Sequence, residues 1–316
     1  MLVSALILGA LALALAWPVP VLLAHARWPG RSPGVALALW QGIALAGGVS
    51  MIGSLLSYGL SPFGANLADG LVALWGSLRG GTLSSGVDFV HVLALCGALL
   101  LGTHLLLNLA ATFLRAEHQR RRHHHLIALL SDPLPNRPGM RVIDYEAPVA
   151  YCLPGAARSA TVLSNGLLRL LNADQLRGVI EHEQAHLRQQ HHLVQLAFKS
   201  WHSALPWFPI ANRAENAVAL LVEMLADDRA RRVVDDRTLA TAIALVGLGQ
   251  QPEAPAPVSS STTGEPVFTS REQALVAPRV HRLMTRTAPL SRLATAGALT
   301  TAITLALAPA IVLLQS

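Results

Sequence analysis

The sequence predicts a mainly α-helical fold, with four transmembrane helices joined to one α+β domain that carries a small β-sheet. Three observations lead there. The 316 residues are 52% hydrophobic and only 13% charged, with a mean hydropathy of +0.44, whereas a soluble domain carries about 25% charged residues. Apolar runs long enough to cross a hydrocarbon core of about 30 Å recur at four places. Between the third and fourth runs lies a polar stretch, Arg115 to Arg292, that mixes strand-like and helix-like patterns.

The spans are expected at about residues 2–23, 35–60, 89–114 and 293–316, with an outer loop at 61–88. The first run could be a cleaved leader, because Ala24-His25-Ala26 resembles a cleavage site. However, no basic residue precedes it, and Arg27 and Arg31 follow it, the reverse of a leader. Gly47 and Gly48 in the second run would let a neighbouring helix approach closely. "RAEHQRRRHHH", Arg115 to His125, follows the third run, and Arg279, Arg282, Arg286 and Arg292 precede the fourth. The loop at 61–88 holds Asp69, Arg79 and Asp88 and is not basic. Positive-inside counting then puts the N-terminus outside and the domain at 115–292 in the cytoplasm of a bacterial cell, with the chain in the plasma membrane. The net charge of +6 is read as this topology signal, and no direct nucleic-acid binding is expected. The His123–His125 run is read as part of the basic anchor and not as a metal site. "NLADGLVALWGSLR", Asn66 to Arg79, lines up Leu67, Leu71, Leu74, Trp75 and Leu78 on one helical face, suited to the outer membrane interface. Cys96 and Cys152 imply no disulfide framework.

Within the polar stretch, "SDPLPNRPG", Ser131 to Gly139, reads as turn and not as a regular element. Residues 140–163 read as short strands broken by Pro154-Gly155. Asn172 with Gln175 has capping-box spacing, so a helix is expected from Ala173 to about Ser200. Asn212 with Glu215 repeats the pattern and predicts a second helix to about Val234. "QQPEAPAPVSSSTTGEPVFT" predicts a mobile loop at 250–270.

The chemistry concentrates at His182-Glu183-Gln184-Ala185-His186, the pattern H-E-x-x-H. Spacing of i,i+4 puts both imidazoles on one helix face, where two nitrogens can grip one tetrahedral Zn²⁺. Glu183, beside the first ligand, can take a proton from a water at the open position and pass it to a leaving amine. The third ligand is less obvious. His192 has metzincin spacing, but the position of the turning glycine is Gln189. A continuing helix would carry His192 about 9 Å along the axis from His186, so His191 and His192 are expected to be ordinary helix residues. On the next helix, "EMLADDRA" sets Glu223 and Asp227 one turn apart. Glu223 could ligate zinc, and Asp227 could accept a hydrogen bond from the far nitrogen of a ligating histidine. One zinc per chain in a gluzincin-type site is the expectation.

These features together resemble the BlaR/MecR-type membrane zinc metallopeptidases and, more distantly, the HtpX and CAAX-prenyl-protease group. "VAYCLPG", "VLSNGLLRLLNADQLRGVIEHEQAH" and "APRVHRLM" resemble the substrate strand, the run into the active site and the arginine segment before the last span. The resemblance implies His182, His186 and Glu223 as zinc ligands, Glu183 as general base and Asp227 behind a ligand. It implies Ala150 and Tyr151 on a substrate-pairing edge strand. Arg279 is implied for steadying the oxyanion or the active-site acids. The substrate would be a protein or peptide, by analogy a BlaI/MecI-type repressor. Membrane lipid surrounds the spans, and a homo-oligomer is allowed. An HtpX-like quality-control protease and a proteolytically silent zinc-binding transducer are the alternatives. Antibiotic sensors of the resembled group carry a penicillin-binding domain after the last span. This sequence stops at Ser316, so any signal is expected to enter through the spans, the outer loop or a partner.

Overall fold

The computed structural model describes residues 1–81, 86–134, 139–155, 159–206, 209–249, 268–285 and 288–316. The chain divides into two compact units. The first holds Met1–Thr112, Ala197–Val218 and Pro289–Ser316, and the second holds Phe113–Leu196 and Ala219–Ala288.

In the first unit, the first expected span is made of α1 (Leu2–Ala16) and α2 (Pro18–His25), interrupted at Trp17. Pro18 has no N–H to donate back along the helix, so the regular ladder stops at Trp17. α3 (Pro33–Leu60) packs against α1 and against α12 (Arg292–Leu314), burying Trp40, Ile43 and Ala46. Close approaches lie at Gly42, where a Cβ would meet the Ala302 carbonyl oxygen at 2.7 Å, and at Gly59, where it would meet the Leu95 side chain at 2.6 Å. They do not lie at Gly47 or Gly48: a Cβ on Gly48 would meet nothing within 4 Å. The sequence shows which residues are small but not which face meets a neighbour.

α4 (Leu67–Gly80) forms as expected, with the Asn66 side chain accepting from the Asp69 amide at 2.9 Å. Its Leu71, Trp75 and Leu78 are exposed. α5 (Phe89–Leu130) is longer than its expected span and carries the whole basic run as helix. At 42 residues and 1.5 Å per residue it extends about 63 Å. Midway along its apolar part, Asn108 donates to the Ser200 carbonyl at 2.6 Å and the Ser203 hydroxyl at 2.8 Å, and His104 Nε2 lies 3.0 Å from the Ala204 carbonyl. Both polar side chains thus have partners, as groups in an apolar span require. Four helical stretches, Leu2–His25, Pro33–Leu60, Phe89–Leu130 and Arg292–Leu314, are long and apolar enough to cross a membrane.

The second unit is built on a four-stranded sheet: β1 (Ser131–Pro133), β2 (Met140–Ile143), β3 (Ala150–Leu153) and β4 (Ala160–Ser164), in the order β1-β2-β4-β3. β2 and β4 are parallel, and the other two pairs are antiparallel. β1 corrects the expectation that Ser131 to Gly139 holds no regular element. Pro133 can end this strand because it occupies an edge, where one missing donor is tolerated. β4 is central and buried, and Val162 and Leu163 are fully covered. Ser164 turns the chain from sheet to α6 (Asn165–Leu170): its hydroxyl donates to the Ala147 carbonyl and accepts from the Val149 and Leu167 amides.

α7 (Ala173–Arg188) opens with the expected capping box between Asn172 and Gln175. Leu163, Leu167, Val179, Ile180 and Ala242 form one core between β4, α6, α7 and α10 (Asp236–Gly249). The helix expected to continue to Ser200 instead stops at Arg188. Gln190 adopts φ +51°, alone among the described non-glycine residues in having a positive φ, and α8 (His191–Ala204) starts afresh. α9 (Pro209–Ala230) begins before Asn212, which is therefore an interior residue and not a cap; its side chain accepts from Asn216 at 3.1 Å. α11 (Phe268–Thr285) takes in residues 268–270 of the expected loop. Residues 250–267 of that expectation lie outside the described residues.

Candidate metal centre

α7 presents His182 and His186 on one face, and α9 brings Glu223 to them. His182 Nε2 lies 3.2 Å from His186 Nε2 and 3.2 Å from Glu223 Oε2, and His186 Nε2 lies 3.5 Å from Glu223 Oε1. Four ligands arranged tetrahedrally about 2.0–2.1 Å from Zn²⁺ are about 3.3 Å apart. The donors and their separations therefore fit such an ion, and this is the group among the described residues that could hold a metal.

Behind these atoms lies a charged brace. Asp227, 1% exposed, has its Oδ1 2.9 Å from His182 Nδ1. Arg279, from α11, donates to both Asp227 oxygens, at 2.7 and 2.9 Å, and its Nη1 lies 3.0 Å from Glu223 Oε2. Of the two roles considered for Arg279, contact with the acids is the one the geometry displays. One turn on, Arg282 grips Asp228 through two 2.8 Å contacts, which clamps α11 to α9.

Electrostatics follow from this packing. Burial and the Arg279 charge pull the His182 pKa down, but its contacts with Asp227 and Glu223 outweigh them and raise it to about 9. Burial opposes ionisation of Glu223 as well, yet His182 and Arg279 hold its carboxyl well below the usual range. Burial lowers His186 to about 4 and raises Glu183 to about 7, although His182 and Arg279 work the other way on Glu183. A near-neutral pKa is what a group needs to accept a proton and return it.

Ala150 and Tyr151 lie on β3, which is an edge strand. Val149 O accepts from Ser164 N at 2.9 Å. Main-chain groups alternate along a strand, so those of Ala150 and Cys152 face away from β4. Ala150, Tyr151 and Cys152 line one cavity with His182 and Glu183, so this strand borders the site. The Tyr151 hydroxyl lies 3.2 Å from His123 Nε2. Next to the site opens a cavity of about 430 Å³, lined by Glu183, Glu223, Tyr151, Ile243, Val246 and Leu275 among others.

Sequence reasoning missed His191. The break at Gln190 lays its ring against His186, Nδ1 to Nδ1 at 3.1 Å, and its Nε2 lies 2.8 Å from Gln189 Oε1. It is 3% exposed and is not the ordinary helix residue expected. The visible signal was "QQHH", four polar residues interrupting the apolar stripe; no glycine marked the turn. His192 also lines the cavity.

No curated protein and no solved structure matches the chain. Residues 114–246 match peptidase family M48, a stretch that runs from late in α5 through α10 and contains His182, Glu183, His186, Glu223 and Asp227. That match, together with four helices apolar enough to cross a membrane, is consistent with a membrane metallopeptidase.

Proposed function

We propose that this chain is an integral membrane zinc endopeptidase that hydrolyses peptide bonds of a protein substrate on the cytoplasmic side of a bacterial plasma membrane. The observation that carries the reading is the tetrahedral spacing of His182, His186 and Glu223, with Glu183 next to them. These three residues would hold one zinc ion per chain, which would supply polarisation of the scissile carbonyl and acidification of the attacking water. Glu183 takes that water's proton and hands it to the departing amine as the C–N bond breaks. Asp227 orients His182 through Nδ1, leaving Nε2 for the ion. Arg279 keeps Asp227 and Glu223 ionised. The substrate backbone pairs as an added strand with the main-chain groups of Ala150 and Cys152, beside Tyr151.

By analogy with the resembled group alone, the substrate is a BlaI/MecI-type repressor and the role is regulated signalling. The test uses the full chain and its Glu183→Ala variant in detergent. Zinc content is measured for both, and cleavage is followed on a repressor encoded beside it and on an unfolded membrane protein. Stoichiometric zinc in both, with cleavage slowed about 10²–10⁴-fold in the variant, is expected. Equal cleavage by the two sinks the enzyme assignment. Preference for the unfolded membrane protein moves the role to quality control. Zinc without cleavage by either leaves a silent transducer.

A further inference from the structure

His182 has an obvious partner behind it, the Asp227 carboxylate. Among the described residues His186 has none of that kind behind it. What its Nδ1 meets, at 3.1 Å, is another imidazole nitrogen, His191 Nδ1. Two ring nitrogens can share a hydrogen bond only if one carries the proton and the other a lone pair. The far side of His191 decides which. Its Nε2 lies 2.8 Å from Gln189 Oε1, an oxygen that only accepts. Nε2 of His191 therefore bears the hydrogen, and a neutral ring then has its lone pair on Nδ1. That lone pair accepts from His186 Nδ1–H. With its proton fixed on Nδ1, His186 presents a bare Nε2, the nitrogen that lies 3.2 Å from His182 Nε2 and 3.5 Å from Glu223 Oε1.

We propose that His191 is a positioning residue for the metal centre. The chain Gln189 Oε1, His191, His186 Nδ1 sets the tautomer and ring orientation of His186 so that Nε2 is ready to ligate. This rests on the metallopeptidase reading above and assigns a role within that site.

The backbone supports it independently. Gln190 sits at φ +51°, a left-handed conformation that is sterically unfavourable for an L-residue. Strain of this kind persists where the surroundings over-determine it. Here it ends α7, with the Gln190 amide turned back to the Leu187 carbonyl at 3.2 Å, and starts α8 on His191 itself. A straight continuation of α7 would carry residue 191 about 7.5 Å along the axis from His186, out of reach of its ring. The kink is what brings the two histidines together.

The test is zinc affinity, measured by chelator competition on full-length protein in detergent, with the thermal midpoint of the zinc-free protein as a control for folding. His191→Ala is expected to weaken zinc binding about 10–100-fold. His191→Asn, whose Oδ1 can still accept from His186 Nδ1–H, is expected to stay within about threefold of the parent. His191→Ala binding as tightly as the parent overturns the assignment. So does an Asn variant that loses as much as the Ala variant, because the ring would then be serving only as filler. Should His191→Ala fail to fold, Gln189→Leu decides: a loss of several-fold supports the relay, and unchanged affinity overturns it. A parent that binds no zinc brings down the metallopeptidase reading together with this one. A parent that binds zinc, with His191→Ala unaffected, brings down this one alone.

Discussion

At the scale of single residues, the site works by giving like groups unlike surroundings. Asp227 is almost wholly covered and would be costly to ionise without Arg279, which meets both of its oxygens. Burial opposes the charge, and the Arg279 guanidinium and His182 together lower the pKa despite it. A carboxyl whose folded pKa is depressed contributes stability above its unfolded pKa, near 3.8, and that contribution fades as pH falls below it. Arg279→Met removes the cation that meets both oxygens of this buried charge and should cost about 3–5 kcal/mol at neutral pH. Adding Asp227→Asn to it should recover part of that loss; thermal midpoints of the three proteins check this. Cys152 makes a contrasting case. Burial pushes its thiol up to about 12 from 9, three units and so about a thousandfold less thiolate at pH 8. Iodoacetamide at pH 8 should therefore leave Cys152 of folded Cys96→Ser protein unmodified and label it promptly after unfolding, as read by mass spectrometry.

At the scale of elements, the legible parts were those with a local signal. The Asn172–Gln175 capping box sets the start of α7, and H-E-x-x-H with E-x-x-x-D puts His182, His186, Glu223 and Asp227 on two facing helices because 3.6-residue periodicity leaves few other choices. β1 and the true start of α9 were hidden: a three-residue edge strand is defined by its neighbour β2, and Asn212 caps nothing once the helix begins at Pro209. The end of α7 was the least legible. Nothing local predicts a left-handed Gln190, because the residue pays for its conformation through contacts made by the next one, His191. This gives a prediction for the element. Gln190→Gly removes the steric cost and should keep the thermal midpoint within about 1 kcal/mol equivalent of the parent or raise it. Gln190→Val, β-branched and least able to adopt positive φ, should lower the midpoint by more than about 1 kcal/mol equivalent. Midpoints that fall equally for both would mean that the turn does not depend on this conformation.

At the scale of the whole molecule, the question is which side of the membrane the histidines face, and charge gives a prediction. Arg27 and Arg31, the Arg115–Arg122 run, and Arg279, Arg282, Arg286 and Arg292 flank the ends of spans that alternate in sequence, while the loop at 61–88 has Arg79 balanced by Asp69 and Asp88. Moving arginines across a bilayer is far costlier than moving the α4 segment, whose exposed Leu71, Trp75 and Leu78 suit an interface. The N-terminus and α4 are thus predicted outside and the metal centre inside. In a background lacking Cys96 and Cys152, Ala68→Cys on α4 should react with a membrane-impermeant maleimide on intact cells. His118→Cys, within the basic run of α5, should react only after the membrane is opened. The reverse pattern would turn the domain outward, and with it the substrate: a repressor that never leaves the cytoplasm could not reach Glu183, and the regulatory role would fall even if zinc binding and peptide cleavage stood.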